Sequence, residues 1–177
     1  MNSSWLLYDF FRAFSLRWVV EDEEMLLVFN RSLKTDSTWP ETAVQEPESK
    51  LNITVVFTSV DATITALKEA GTLAESLGAR ITLVVPQIVP YPLPLTSPPV
   101  LLDFQENRFR EIAALSPVDI TVQLFLCRDG LETLRKVLKP HSLVVVGGRK
   151  RFWPTLAKRL ARRLRSAGHE VIFTEEN

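Results

Sequence analysis

The stretch from Asn52 to Val85, NITVVFTSVDATITALKEAGTLAESLGARITLVV, decides the fold. It opens with Ile53 to Phe57, apolar or β-branched at every position, which is what a strand buried on both faces requires. Asp61 to Leu77 follows at helical spacing, with Ile64, Leu67, Ala70 and Leu77 near one face, and Gly78 supplies the left-handed residue that ends a helix. Arg80 to Val85 is a second strand, again nearly continuous in apolar character. Strand, helix and strand in this order make a βαβ unit, because parallel neighbours need a long crossover.

The alternation continues to the end of the chain. Leu101 to Leu115 reads as a helix carrying Leu102, Phe109, Ile112 and Ala113; Val118 to Leu126 is a third strand, and Leu131 to Leu138 a short helix. Leu143 to Val146 is a fourth strand running into Gly147-Gly148. Pro154 to Ala167 is a helix with proline in its first turn and Gly168 beyond its end. Val171 to Thr174 is the last strand. The pattern predicts an α/β domain: a doubly wound, five-stranded parallel sheet with helices on both faces. Ligands of such sheets sit beyond the carboxyl ends of the strands, near the point where strand order reverses. That singles out Thr58 to Asp61, Pro86 to Ile88 after the second strand, Cys127 to Gly130, and Gly147 to Arg151.

Residues 1–50 do not share this regularity, and we divide the chain into an N-terminal extension and linker, 1–50, and an α/β domain, 51–177. Ser4 to Val20 has apolar residues around much of a helix, with Trp5, Tyr8, Phe11 and Leu16 available for docking. Glu21 to Glu24 is an acidic break, Met25 to Phe29 has strand character, and Thr35 to Lys50, with Pro40 and Pro47, reads as a linker. A loosely attached tail is the default reading. The alternative is an amphipathic helix covering a partner or a membrane surface, although it lacks the basic polar face of a membrane binder.

Charge and cysteine usage exclude several function classes. The chain has 21 basic and 21 acidic residues, yet eight of the basic ones, and no acid, fall between Arg149 and Arg165. Such a layout points to a local anionic partner more than to general nucleic-acid affinity, and nucleic acid is not the expected ligand. Cys127 is the only cysteine, so no intrachain disulfide forms, and two histidines far apart in sequence, His141 and His169, argue against a Cys/His metal site. No stretch is apolar for long enough to read as a membrane span, and no basic n-region precedes the apolar N-terminus, so the expected location is cytoplasmic.

The order of these elements, with Ala66-Leu67 in the first helix, Gly78-Ala79-Arg80 before the second strand and Val144-Val145-Val146-Gly147 at the fourth, resembles the universal stress protein family over residues 52–174. The resemblance implies the fold above, a part in stress response, and a homodimer paired through the last strand. It also implies an adenine nucleotide. Nucleotide-binding members carry an aspartate at the end of the first strand, a Gly-x-x-Gly turn after the fourth, and Gly-Ser or Gly-Thr about nine residues later, so that backbone N–H groups cradle phosphate. By its spacing to Ala66-Leu67, Thr58 occupies the aspartate's place. Gly147 matches the first glycine, Lys150 replaces the second, and Ala157-Lys158 or Leu160-Ala161 stands where Gly-Ser would be.

The residues themselves read two ways. In Gly147-Gly148-Arg149-Lys150-Arg151, two glycines admit an anion to the backbone while three cations supply charge, or else a strand simply ends in a solvated basic rim. Phe152-Trp153-Pro154 reads as a staple at a helix start before a stacking platform. Leu156, Leu160 and Leu164 form the stripe that packs the last helix, leaving its basic residues on the outer face. The six prolines between Pro86 and Pro99 read as a stiff crossover. Cys127 reads as structural, since no base and orienting group accompany it. Asp61 and Asp129 read as helix caps. The sequence thus predicts a binding module rather than an enzyme, acting through a small anionic ligand or a protein partner, with no catalytic residues and no metal. Its candidate ligand residues are Thr58, Ser59, Val85, Gly147, Gly148, Arg149, Lys150 and Arg151. The alternative is an ATP- or other adenine-nucleotide-binding protein with weak or no hydrolysis, using the Gly147 to Arg151 turn.

Overall fold

Side chains that alternate across a strand have to be buried twice in a parallel sheet, and the chain does this with two separate apolar layers. A computed structural model describes residues 25–32, 51–96, 102–114, 118–150 and 155–176. Its elements are β1 (Met25–Ser32), β2 (Asn52–Val56), α1 (Val60–Leu77), β3 (Arg80–Ile88), α2 (Leu102–Ala114), β4 (Ile120–Cys127), α3 (Gly130–Val137), β5 (Leu143–Arg149), α4 (Leu156–Ser166) and β6 (Glu170–Glu176). Strand order is β1-β4-β3-β2-β5-β6. From β4 to β6 all neighbours are parallel, which is the predicted five-stranded doubly wound sheet. Order reverses between β2 and β5: the chain lays β3 and β4 on one side of β2, then crosses to place β5 and β6 on the other.

Ile53 and Val55 face a layer that includes Ala66, Leu67 and Ala70 of α1 and Phe109 and Ile112 of α2. Val56, Val144 and Val146 face the opposite layer, with Leu134 of α3 and Ala161 and Leu164 of α4. Phe109 ties α2 to the sheet: it is 1% exposed and meets Phe57 edge to face at 5.3 Å and 86°. Truncating it to alanine would cost about 3–5 kcal/mol. The buried face of α1 is made of small residues, Ala62, Thr63, Ala66, Ala70, Gly71 and Ala74, around a single leucine, Leu67. A helix with so little bulk on its inner face lies close to the sheet. Gly78, at φ 62°, ends it in the left-handed conformation, its N–H donating to the Ala74 carbonyl.

Four expectations need correction. Leu77 is 53% exposed and Leu156 82% exposed. The inner stripe of α4 is instead Ala157, Leu160, Ala161 and Leu164, the i, i+3, i+4, i+7 pattern of a straight helix lying on a sheet. Ser59, not Asp61, is the N-cap residue of α1, whereas Asp129 caps α3 as expected, accepting from the Leu131 and Glu132 amides at 2.7 and 3.1 Å. β3 continues through Pro86 to Ile88. Past Val84 its ladder partner among the described residues is β4 alone, and a proline is tolerated where one side has no ladder to donate to. Finally, residues 25–32 of the extension pair antiparallel with β4, with a register shift between Leu27 and Phe29. Residues 1–24 and 33–50 lie outside the described residues, as do Arg151 to Pro154.

Candidate functional site

The switch point lies between the carboxyl ends of β2 and β5, where the ladder runs as far as Val56 opposite Val146. Gly147 is one residue beyond the last position of β5 paired with β2, and the Thr58 hydroxyl donates to its carbonyl at 2.8 Å. The Thr58 amide in turn donates to the Thr63 hydroxyl at 3.3 Å. Thr58 therefore clasps the two strands across the gap where a ligand would enter, and its amide and hydroxyl donors are both used within the protein.

Gly147 and Gly148 are not in a turn. They continue β5, opposite Thr174 and Glu175 of β6, and Arg149 pairs opposite Glu176. Their glycine identity is a packing requirement. A Cβ on Gly147 would fall on the backbone carbonyl of Ala62, only 2.6 Å from its carbon. A Cβ on Gly148 would lie 2.6 Å from the Phe173 ring and 3.0 Å from Ala157 Cβ. The small inner face of α1 and the missing side chain at Gly147 are two halves of one close approach. The expected phosphate-cradling turn is thus a strand end, and its flexibility is spent on admitting a helix.

Charge at this edge is largely matched inside the protein. The Arg149 guanidinium stands 4.0 Å from the Asp61 carboxylate and 3.6 Å from that of Glu176. Lys158 at the start of α4 pairs with Glu175 at 2.8 Å, and its ammonium lies 5.9 Å from the Phe173 ring centroid. That hydrogen bond holds the Glu175 carboxyl below its ordinary pKa, with the charges of Lys158 and Lys150 adding to the effect against a smaller opposing desolvation. These pairs are substantially solvated, so each contributes little to stability. Lys150 is exposed; Arg151 lies outside the described residues. Sequence reading ended the last strand at Thr174 and missed Glu175 and Glu176, although two acids directly after a strand parallel to the one that runs into Gly147 to Arg151 were a usable signal.

Ser59 and Val85 part company. Val85 is 1% exposed and packed in the α1/α2 layer, so its side chain lines no ligand site. Ser59 is half-buried, extended at φ −146° and ψ 163°, and its side chain makes no cap hydrogen bond to α1. The first-turn amides of an 18-residue helix therefore meet the switch point without a side-chain acceptor from their own cap, and they carry the positive end of the helix dipole. Arg108 of α2 approaches the same end of β2, 5.9 Å over the Phe57 ring.

At the carboxyl ends of β3 and β4 the arrangement is structural. The Cys127 thiol is fully buried, and burial pushes its pKa up; a hydrogen bond with Thr133 opposes this and the Asp129 charge reinforces it. A thiol kept protonated is a poor nucleophile. Arg128 turns away from it, donating to the Val89 carbonyl at 2.6 Å and the Leu93 carbonyl at 2.8 Å, and stacks 4.1 Å from the Tyr91 ring centroid. It thereby pins the proline-rich loop, a role the sequence did not suggest. His169 shares a hydrogen bond with Ser142 at 3.0 Å, while His141 is exposed at φ 57°. Among the described residues no group of three His, Cys, Asp or Glu side chains could hold a metal ion, and no helix is long and apolar enough to cross a membrane.

Fold and edge together define a doubly wound α/β protein with a clasped switch point beside a helix N-terminus that its own cap side chain does not bond. A solved universal stress protein in complex with cAMP is similar at 18% identity, over 72% of this chain and 98% of that chain, with a TM-score of 0.45. No family model matches the chain, and no curated protein matches it.

Proposed function

We propose that the chain is a cytoplasmic, non-enzymatic binding module that takes a small anionic ligand on the first turn of α1, with Arg149 and Lys150 supplying charge. The observation that carries this reading is the Ser59 cap: its side chain makes no hydrogen bond to the first turn of α1 at the switch point, where a helix dipole favours negative charge. Asp61 stands in the same turn and holds Arg149, so an entering anion has to displace a carboxylate from that guanidinium. A phosphate monoester fits this competition better than a monovalent anion, because it is doubly charged and offers Arg149 a bidentate partner. ATP or another adenine nucleotide is the specific form of the proposal.

Thermal unfolding with ATP, ADP, AMP and cyclic nucleotides, with and without magnesium, tests it. Ligand at ten times Kd stabilises by about 1.4 kcal/mol, raising Tm by about 3–6 °C for a chain of this size. Arg149→Ala should abolish the shift, and Asp61→Asn should enlarge it by removing the competing carboxylate. A flat response to the whole panel at millimolar concentration rejects the reading.

One observation favours a protein partner as well. β6 closes the described sheet at one side, and its Val171, Ile172 and Phe173 remain only half-buried. We infer a homodimer paired along this edge. Sedimentation as a monomer at micromolar concentration rejects it.

A further inference from the structure

Seven large apolar side chains among the described residues are exposed, and four of them belong to one corner: Ile88 at 56%, Tyr91 at 78%, Leu93 at 37% and Phe104 at 62%. Ile88 ends β3. Tyr91 and Leu93 sit on the loop that Arg128 pins to the end of β4. Phe104 precedes Gln105, whose side-chain amide reaches that of Gln87 at 3.4 Å. The corner is held in place by named bonds, so these side chains are presented rather than left over from a loose loop. Clustered exposure of this kind marks a surface that something covers.

Strand register says what is tethered there. Cys127 pairs with Ile88 on one side and with Met25 on the other. Met25 and Ile88 are therefore two strand spacings apart, about 10 Å. Residues 1–24 join the sheet at Met25, beside the exposed corner. The other long stretch outside the described residues, 33–50, joins Ser32, which pairs with Thr121, to Leu51, whose carbonyl accepts from the Arg80 amide. Both its ends lie at the opposite, amino edge of the sheet. Glu21 to Glu24 alone span about 13 Å when extended, enough to cross from Met25 to Ile88. Ahead of them stand Trp5, Tyr8, Phe11, Phe14, Leu16 and Trp18, an apolar content that matches the corner.

We infer that residues 4–20 dock in cis on the corner formed by Ile88, Tyr91, Leu93 and Phe104, making the N-terminal segment part of the domain's apolar surface. The docking is independent of the anion-binding reading, since none of the four side chains belongs to that site.

Photo-cross-linking of the full chain tests it, with p-benzoylphenylalanine introduced singly at Phe104 and at Ile88. Neither position takes part in the Arg128 contacts, and products are mapped by mass spectrometry. Cross-links should fall on residues 4–20 of the same chain. Their yield should not change on about tenfold dilution, because a short tether gives an effective concentration on the order of millimolar. Trp5→Asp combined with Phe11→Asp should cut the yield several-fold. Interchain products that grow with protein concentration mean that a second copy is the occupant, and overturn the inference. Products confined to residues outside 1–24, or a yield unaffected by the double substitution, overturn it too. So does co-sedimentation with phosphatidylglycerol vesicles that the same substitutions abolish, since the segment would then serve a membrane surface.

Discussion

Replacing Gly147 by alanine asks the close approach of α1 and β5 to accommodate one methyl group. The new Cβ would lie 2.6 Å from the Ala62 carbonyl carbon, and closer still to its oxygen. Ordinary carbon–carbon contacts sit at about 3.5–4.0 Å, so the start of α1 has to retreat by roughly 1 Å. Nothing at the contact is the end of a flexible side chain; the obstacle is helix backbone tied to β2 through Thr58 and Thr63. Overpacking costs about 1–3 kcal/mol and occasionally more, and a rigid neighbour puts this site at the top of that range. Retreat of α1 also strains the Thr58 clasp on the Gly147 carbonyl, a hydrogen bond worth about 1 kcal/mol. We expect a loss of about 3–4 kcal/mol, or about 6–16 °C in Tm. Urea and thermal unfolding measure it, with two controls. Gly148→Ala meets mainly the half-buried Phe173 ring, which can turn, and should cost about 1–2 kcal/mol. Gly78→Ala enters open space and suffers only from its φ of 62°, about 1 kcal/mol. If Gly147→Ala costs no more than Gly78→Ala, the packing account of the glycine pair is wrong.

Glu175 titrates below its ordinary value in the folded protein because Lys158 bonds to it. Its contribution is thus full above the unfolded glutamate pKa of about 4.3 and disappears as pH falls through the lowered folded value. Tm measured on either side of that window should fall less steeply with acid in Lys158→Met than in the parent. Cys127 should resist alkylation at pH 8, reacting on the order of a hundredfold more slowly in native protein than in urea, since exposure requires opening of the fold; equal rates contradict its burial. Arg128→Ala should leave global unfolding little changed while limited proteolysis at the loop bearing Tyr91 accelerates, and Arg128→Lys should not restore protection, because one ammonium cannot reproduce a fork that serves two carbonyls. Thr58→Val should cost about 1 kcal/mol and Thr58→Ser much less; equal losses would mean that the clasp is steric.

The parallel sheet was legible because its strands are buried on both faces, so Ile53 to Phe57, Arg80 to Val85 and Leu143 to Val146 carry continuous apolar signals that nothing else in a short chain explains. The same signal ended too early at three strands. Pro86, the Gly147-Gly148 pair and Glu175 all violate strand propensity, and each is tolerated for a tertiary reason invisible locally: a missing ladder partner, an approaching helix, an ion pair with Lys158. Propensity describes a residue alone, whereas these positions are decided by what lies across from them. The candidate site suffered from the same blindness. Gly147 looked like a phosphate turn because a glycine admitting an anion and a glycine admitting the Ala62 carbonyl are written identically. Val85 was nominated from its place at a strand end, and the pleat turned it into the core. Ser59 stands at the head of α1, and its idle side chain is a fact of hydrogen-bond geometry, which no spacing encodes.

The Thr58 clasp has a consequence for how this chain can change over generations. An aspartate at position 58 is what the universal stress protein resemblance would ask of a nucleotide site. Here it would turn the side-chain donor of the clasp into an acceptor facing the Gly147 carbonyl, and two acceptors at 2.8 Å repel. Gaining the acid therefore means losing, in the same step, the bond that extends the β2–β5 ladder past Val56. A sealed edge and an acid at position 58 are therefore alternatives, and the exchange of one for the other costs about the worth of one hydrogen bond unless another change offsets it.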